Sequence, residues 1–303
     1  MYLFKKIKRK TYKLFHPKLG VVLMLHRVTE TRSHLKINRV IEITPDFLEK
    51  TILDYQAKGY CFVSLDDMQQ ILEGKRKTKK PFVCFTFDDG YRDNVEFAYP
   101  IFKKYNCPFA IYVTTDFIDY KAVIWWYVLE DLLTSHNEIR LSDGTVYKTD
   151  TPENRDSVFE NLHKRISALD ISERKETFEE WFSAYEFSFE EKVKELSMTR
   201  EQLKLLADDG LCTIASHTVT HPHLAGMDRG EQRQELLVSK HKLERWTKKP
   251  VVHFSYPFGS NDHNSRQLAA AYYQTATLAF GGVLRKGLEN LALIPREILM
   301  MED

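Results

Sequence analysis

Long hydrophobic runs are missing from this 303-residue sequence, since no apolar stretch reaches the ~18 residues that a membrane-spanning helix needs. The charged start is not followed by an apolar h-region and a small-residue cleavage site, which argues against a secretory signal. The four cysteines, Cys61, Cys84, Cys107 and Cys212, are widely separated and form no Cys-x-x-Cys pair, so we interpret them as buried free thiols. These absences together predict a protein of the reducing cytoplasm.

An excess of charge of one sign is also missing, because the formal net charge is only +1. We therefore expect no nucleic-acid partner for the body of the protein, and we interpret the basic stretch 74–80 as a solvated loop. Hydrophobic residues make up 43% of the chain, which is ordinary for a globular protein. The length allows one large α/β domain or two smaller ones.

Short apolar segments that read as strands alternate with segments of helical spacing. The predicted strands include residues 20–26, 62–65, 81–87, 109–113, 211–215, 251–255 and 276–279. This alternation favours a parallel sheet or a barrel. Residues 120–200 interrupt it with helical spacing, many charges and few glycines, which predicts a helical insertion.

The first chemical signal is the segment Thr86-Phe-Asp-Asp-Gly-Tyr91 at the end of a strongly apolar strand. The carboxyl ends of parallel strands are where barrel folds place their active sites. Adjacent carboxylates repel each other unless a cation separates their roles. We therefore predict that one of Asp88 and Asp89 binds a metal ion while the other moves a proton. The alternative is an Asp-Asp-Gly turn on the surface.

The second signal is the pair His217 and His221, which again directly follows a predicted strand. A His-x-x-x-His spacing predicts a helical turn with both imidazoles on one face. Two imidazoles and one carboxylate leave open positions on a metal ion, as in catalytic rather than structural sites. The alternative is an incidental pair, and His223, which follows Pro222, lies outside the spacing.

In combination and order, the two segments resemble the first two motifs of the polysaccharide deacetylase family, a group of carbohydrate esterases. The resemblance covers roughly residues 20–300 without the insertion. It implies an α/β fold that is a distorted, incomplete (β/α) barrel. It also implies that Asp88 is the catalytic base and that Asp89, His217 and His221 bind the metal.

Two departures from the family pattern concern its other motifs. Ser255 in Phe254-Ser-Tyr-Pro-Phe-Gly259 stands where the family has an arginine that holds the base. The closing Leu-x-His motif is missing from the end, but Leu23-Met-Leu-His26 supplies it at the start, as in the circularly permuted poly-N-acetylglucosamine deacetylases. This implies that His26 is the general acid, the alternative being a core histidine. Arg296 is a candidate to pair with Asp88 in place of the missing family arginine. The alternative is that Arg296 forms a surface salt bridge.

The resemblance implies a hydrolase that removes N-acetyl groups from an N-acetylhexosamine-containing glycan or a surface-polysaccharide precursor. Zinc fits the ligand set, and cobalt, nickel or iron could occupy it. The backbone N–H of Phe258 would hold the oxyanion, and Tyr91 with Trp125 and Trp126 could stack on a sugar. The alternatives are a metal amidohydrolase acting on a non-sugar amide and a non-catalytic glycan-binding protein.

The first nineteen residues form a separate basic arm before a catalytic domain at 20–303. Residues 1–18 carry seven Lys or Arg side chains and no acidic one, and apolar residues recur among them at roughly helical spacing. This pattern predicts an amphipathic segment that contacts an anionic membrane, here at its inner face, near lipid-linked sugar intermediates. The alternative is that the apolar residues cap the open end of the barrel while the lysines are solvated.

Overall fold

A computed structural model describes residues 18–169, 171–287 and 290–302. The basic arm predicted at 1–19 therefore lies outside the described residues, except for Lys18 and Leu19, which begin the first strand. No helix in the described ranges is both long and apolar enough to cross a membrane.

The strands of the described chain are β1 (Lys18–Leu25), β2 (Arg27–Val28), β3 (Glu42–Ile43), β4 (Cys61–Phe62), β5 (Phe82–Asp89), β6 (Phe109–Val113), β7 (Glu138–Arg140), β8 (Val146–Lys148), β9 (Cys212–Ser216), β10 (His253–Ser255), β11 (Thr275–Gly281), β12 (Leu284–Arg285) and β13 (Ile294–Ile298).

The α-helices are α1 (Lys36–Arg39), α2 (Pro45–Ala57), α3 (Leu65–Leu72), α4 (Tyr99–Lys104), α5 (Thr115–Ile118), α6 (Trp125–Ser135), α7 (Pro152–Ser167), α8 (Ile171–Trp181), α9 (Phe189–Leu196), α10 (Arg200–Asp208), α11 (Arg229–Thr247) and α12 (His263–Tyr272). A π-helical turn (Asn94–Ala98) precedes α4, and a 3₁₀ turn (Pro257–Gly259) follows β10.

Seven parallel strands close into a barrel in the order β1-β13-β11-β10-β9-β6-β5, with β5 pairing back onto β1. The strands β4 and β12 add to this sheet at the amino-terminal ends of β5 and β1, where β12 runs antiparallel to β1. The predicted (β/α) barrel is thus confirmed, and it has one strand fewer than the eight of a complete barrel.

The barrel strands are mostly apolar and buried because helices cover the outside of the barrel and side chains fill its inside. All eight residues of β5 are buried, as expected for a parallel strand that is covered on both faces. On the outer side, the rings of Phe102 and Phe109 stack with centroids 4.5 Å apart, and Phe87 meets Phe102 edge to face. Each buried ring stabilises the fold by about 1.5–3 kcal/mol.

The predicted insertion packs around an apolar core of its own. Helices α6 to α9 contribute Trp125, Phe159, Phe178 and Phe189, respectively, to this core. The segment is not purely helical, because β7 and β8 form an antiparallel hairpin that the helical spacing did not indicate. The insertion is therefore a small helical layer with one hairpin, set over the carboxyl ends of the strands.

Candidate active site

The carboxyl ends of three barrel strands bring the predicted site residues together. His26 directly follows β1, Asp88 and Asp89 end β5, and His217 directly follows β9. Strand β5 lies between β1 and β6, and β6 in turn pairs with β9. Residues far apart in the sequence thereby meet at one end of the barrel.

The two adjacent carboxylates point toward the same place, which regular strand geometry forbids. Successive side chains of a strand alternate between its faces, but the backbone of Asp89 has φ 77°, in the left-handed region. The change of direction leaves Asp88 Oδ2 3.8 Å and Asp89 Oδ1 3.7 Å from Nε2 of His217. A strained residue at this point is therefore what places both acids at the site.

The segment 217–221 is not the helical turn that the His-x-x-x-His spacing predicted. Thr218 and His221 both have left-handed backbone angles, with φ 70° and 61°, which a right-handed helix cannot contain. The Glu235 carboxylate fixes this irregular loop by accepting hydrogen bonds from the Val219 and Thr220 N–H groups, at 2.7 and 3.0 Å. The loop nevertheless brings the imidazoles of His217 and His221 to a centroid distance of 4.9 Å.

Asp89, His217 and His221 form a set that fits a metal ion. One ligand atom from each lies within 4.8 Å of the others. Asp89 Oδ1 is buried and accepts no hydrogen bond from the described residues, which leaves a lone pair for a cation. His217 Nδ1 lies 2.8 Å from the backbone oxygen of Ser255, so it carries the proton and leaves Nε2 to bind.

Burial keeps the two imidazoles neutral, as metal binding requires. It lowers the pKa of His217 to about 4 and that of His221 to about 3. Burial also raises the pKa of Asp89, against the opposing influence of His26 and His217. A cation at this place would offset that penalty by stabilising the carboxylate.

Arg296 holds Asp88 in a fully buried ion pair. Its Nη1 and Nη2 donate to the two carboxylate oxygens at 2.7 and 2.6 Å, and the guanidinium also donates to Thr86, Ser255 and the backbone oxygen of Leu278. Burial alone would raise the pKa of Asp88, but Arg296 outweighs it and holds that pKa well below its usual value. The arginine thus makes the contact for which the sequence nominated it, and Ser255 at the expected arginine position supports it.

His26 is positioned through its backbone rather than through its ring. The Asn94 side chain donates to the His26 carbonyl at 2.8 Å, and Asp93 accepts from Val28 N–H at 3.2 Å and from Arg27 Nε at 2.8 Å. The imidazole Nδ1 is buried and has no hydrogen-bond partner within the described part of the chain. His26 is among the groups that lower the pKa values of Asp88 and Asp89, so its ring lies close to both carboxylates.

Tyr91 does not provide the sugar-stacking face that the sequence suggested for it. The ring is fully buried, packs edge to face on Phe117 and Tyr127, and lies 5.4 Å from the Arg27 guanidinium. The reason is that the insertion covers this position, so Tyr91 belongs to the layer that joins insertion and barrel. Trp125 is likewise buried, at 4% exposure.

Phe258, in contrast, is 51% exposed at the rim of the site. Its ring stacks on His223 at 4.1 Å and meets His221 edge to face at 4.6 Å. The backbone at Phe258 is left-handed, with φ 57°. The next residue must be glycine, because a Cβ at Gly259 would lie 2.8 Å from the Phe280 ring.

Sequence reasoning missed the residues that fix the backbone around His26 and His221. Asp93, Asn94 and Glu235 bind backbone groups at or near His26 and His221, and the Arg27 side chain holds Asp93 through an ion pair. Such contacts between distant segments follow from no local spacing. The only signal was position, since Asp93 and Asn94 closely follow the Asp-Asp-Gly segment and Arg27 adjoins His26.

The comparisons with known proteins agree on one family. The family model for polysaccharide deacetylase matches residues 75–149 and 170–276. The YxkH protein of Bacillus subtilis (strain 168), which carries the same family description, is 22% identical over 213 residues, or 70% of this chain and 49% of that protein. The chain thus spans about half the length of this curated relative. His26 and Arg296 lie outside the ranges matched by the family model.

Solved structures share the fold over most of the chain. The Streptococcus pyogenes deacetylase PplD, determined in complex with acetate, superposes with a TM-score of 0.62 at 19% identity, covering 93% of this chain and 92% of that chain. IcaB from Ammonifex degensii has a TM-score of 0.62 at 16% identity, with the same coverage. At these identities the likeness establishes the barrel and the placement of its strands.

Proposed function

Because the chain belongs to the polysaccharide deacetylase family, we propose that it is a metal-dependent hydrolase that removes N-acetyl groups from an N-acetylhexosamine-containing glycan. The observation that carries this proposal is one cluster at the carboxyl end of the barrel. A set of three metal-binding side chains adjoins a carboxylate, Asp88, that a buried arginine orients, and His26 lies beside them.

Asp89, His217 and His221 are the residues that would hold a divalent ion. Such an ion supplies Lewis acidity toward an amide carbonyl and makes water easier to deprotonate. Two imidazoles and a carboxylate suit zinc, and cobalt, nickel or iron could take the same ligands. Three protein ligands leave coordination positions open for substrate, as catalytic sites require.

Asp88 and His26 divide the proton transfers between them. Asp88 remains ionised because Arg296 stabilises its charge, so it can accept the proton of the attacking water. His26 gives a proton to the departing sugar amine, which completes the release of acetate. Arg296 keeps the Asp88 carboxylate in place, and the Asn94 hydrogen bond to the His26 carbonyl fixes the backbone that carries the imidazole.

The cavity beside His221 supports a sugar substrate. It has a volume of about 200 Å³ and lies between the insertion and the barrel rim. Trp126 and Phe258 offer aromatic faces there, and Lys121 offers a hydrogen-bond donor. Aromatic faces with a few polar groups suit the apolar face and the hydroxyl rim of a pyranose ring.

Acetate release from N-acetylglucosamine oligomers tests this proposal. We expect turnover of the oligomers, loss of turnover after treatment with a chelator, and recovery when zinc is added. A simple non-sugar acetamide should react much more slowly, because it cannot contact the cavity walls. Equal rates on both substrates would favour a general amidohydrolase, and binding of oligomers without acetate release would favour a non-catalytic glycan-binding protein.

A further inference from the structure

A strongly basic surface covers the amino-terminal end of the barrel, opposite the candidate active site. We call it the basic face and define it by Lys18, Lys75, Arg76, Lys77, Lys79, Lys80, Arg285 and Lys286. It is built by the loop between α3 and β5 together with the ends of β1 and β12, which pair there through Lys18 and Arg285. The sequence predicted a solvated loop at residues 74–80, because local patterns do not show that the ends of β1 and β12 add further basic side chains to the same surface.

Lys75 and Arg76 form ion pairs with acidic side chains. Glu73 pairs with Lys75 at 2.8 Å, and Asp67 pairs with Arg76. The side chains of Lys77, Lys79, Lys80 and Lys286 make no ion pair or hydrogen bond with any described residue. Four like charges on one surface create a positive potential that attracts an anionic partner.

The basic face also encloses an apolar groove. Leu19, Ile71 and Leu72 line the groove, and Arg76, Lys77, Lys79, Arg285 and Lys286 surround it. Among the residues lining this groove there is no aromatic ring that could stack on a nucleic-acid base. An apolar floor within a ring of cations is the chemistry of an interface with anionic phospholipids.

The chain enters this same face from its basic segment. Residues 1–17 contribute a further six Lys or Arg side chains and no acidic residue, together with Leu3, Phe4, Ile7, Leu14 and Phe15. They connect directly to Lys18, which begins β1 at the basic face.

We propose that the basic face docks the protein onto an anionic phospholipid bilayer, with the candidate active site directed away from the membrane. Strand β1 sets the distance between the basic face and the candidate active site, because Lys18 lies at the face and His26 follows eight residues later along the strand direction. At about 3.3 Å per residue and a strand tilt of about 36°, the site lies roughly 20 Å from the docked end.

This orientation limits which glycans can reach the active site. The conclusion about the substrate rests on the proposed function. A sugar joined directly to a lipid phosphate would stay at the headgroup level, below the reach of His26. The orientation therefore selects a glycan that extends well beyond the membrane surface, and disfavours the first sugar of a lipid-linked intermediate.

Co-sedimentation of the full chain with vesicles tests the docking. The variant carries Lys77→Gln, Lys79→Gln, Lys80→Gln and Lys286→Gln, and the vesicles contain equal parts of phosphatidylglycerol and phosphatidylcholine at low salt. The matched control removes the same charge from other exposed positions with Lys148→Gln, Lys175→Gln, Lys204→Gln and Arg245→Gln. Pure phosphatidylcholine vesicles provide the uncharged surface.

We expect the wild type and the control to pellet with the anionic vesicles, and neither with the uncharged ones. The basic-face variant should bind about 10²-fold to 10³-fold more weakly, because each of the four removed basic residues contributes about a fivefold factor in affinity near an anionic surface. Equal binding of variant and control would overturn the proposal, as would tight binding to a soluble polyanion without binding to vesicles.

Acetate release from soluble oligomers separates this proposal from the proposed function. The basic-face variant should keep the wild-type rate, because none of its substitutions lies near the site. If the protein binds vesicles as expected but releases no acetate, the docking stands and the enzymatic proposal fails. If acetate is released but the vesicles are not bound, the reverse holds.

Discussion

Substitution of Arg296 by Met is the sharpest test of how the buried acid is held. Methionine roughly preserves the length of the side chain but removes the guanidinium, which makes two hydrogen bonds to Asp88 and three to other groups. Asp88 is only 3% exposed, so its charge would be left buried and unpaired. Breaking a buried ion pair in this way costs about 3–5 kcal/mol of unfolding free energy.

A double-mutant cycle separates the lost pairing from the lost packing. Asp88→Asn removes the charge without changing the shape, so adding it to Arg296→Met should recover stability. We expect the destabilisation of the double mutant to be at least about 2 kcal/mol smaller than the sum of the single effects, as measured by urea unfolding in the presence of a chelator. Pairing Arg296→Met with Asp208→Asn, on an exposed stretch of α10, provides the additive control. Additivity within about 0.5 kcal/mol for Asp88 as well would refute the account of the pair.

Three further outcomes test the loop, the acid and a buried carboxylate. Glu235→Gln should weaken zinc binding by about 10–100-fold, as measured by calorimetry, because the loop that carries His221 loses the carboxylate that fixes it. Unchanged zinc affinity would show that Glu235 is not needed to position His221. His26→Ala should lower the rate of acetate release by about 10²–10⁴-fold while zinc still binds, and near-normal turnover would assign the acid role elsewhere. Burial raises the pKa of Glu42 to about 7, so ionisation of Glu42 weakens the fold as pH rises from about 5 through 7. The unfolding free energy of wild type relative to Glu42→Gln should fall by about 1–3 kcal/mol over that range, and a flat difference would contradict the burial effect.

The sequence could predict the barrel because its signals are local and repeated. Each buried strand is a short apolar run, and the helix that starts at Thr44-Pro45 has both a capping side chain and proline at its first position. In the structure Thr44 Oγ1 accepts from Phe47 N–H, and the helix runs from Pro45 to Ala57. The hairpin β7–β8 was not predicted, because its strands have only three residues each and are too short to show an alternating pattern.

The sequence indicated which residues meet at the candidate site but not the geometry in which they meet. The pairing of Arg296 with Asp88 spans 208 positions and was nominated only because a family arginine was missing at Ser255. The spacing of His217 and His221 suggested a helix, but an irregular loop achieves the same proximity through left-handed residues that no spacing rule indicates. The burial of Tyr91 depends on where the insertion folds back, which is a property of tertiary packing.

Acetate release measured together with metal content tests the central claim most directly. The full chain is stripped with a chelator, divided, and assayed on N-acetylglucosamine oligomers with and without stoichiometric zinc, beside a variant carrying His217→Ala and His221→Ala. We predict that turnover returns in proportion to bound zinc in the wild type, and that the variant, although folded, neither binds zinc at this site nor releases acetate. Undiminished turnover in the stripped protein, or stoichiometric zinc binding in the variant, would contradict the assignment of Asp89, His217 and His221 as the metal site of a deacetylase.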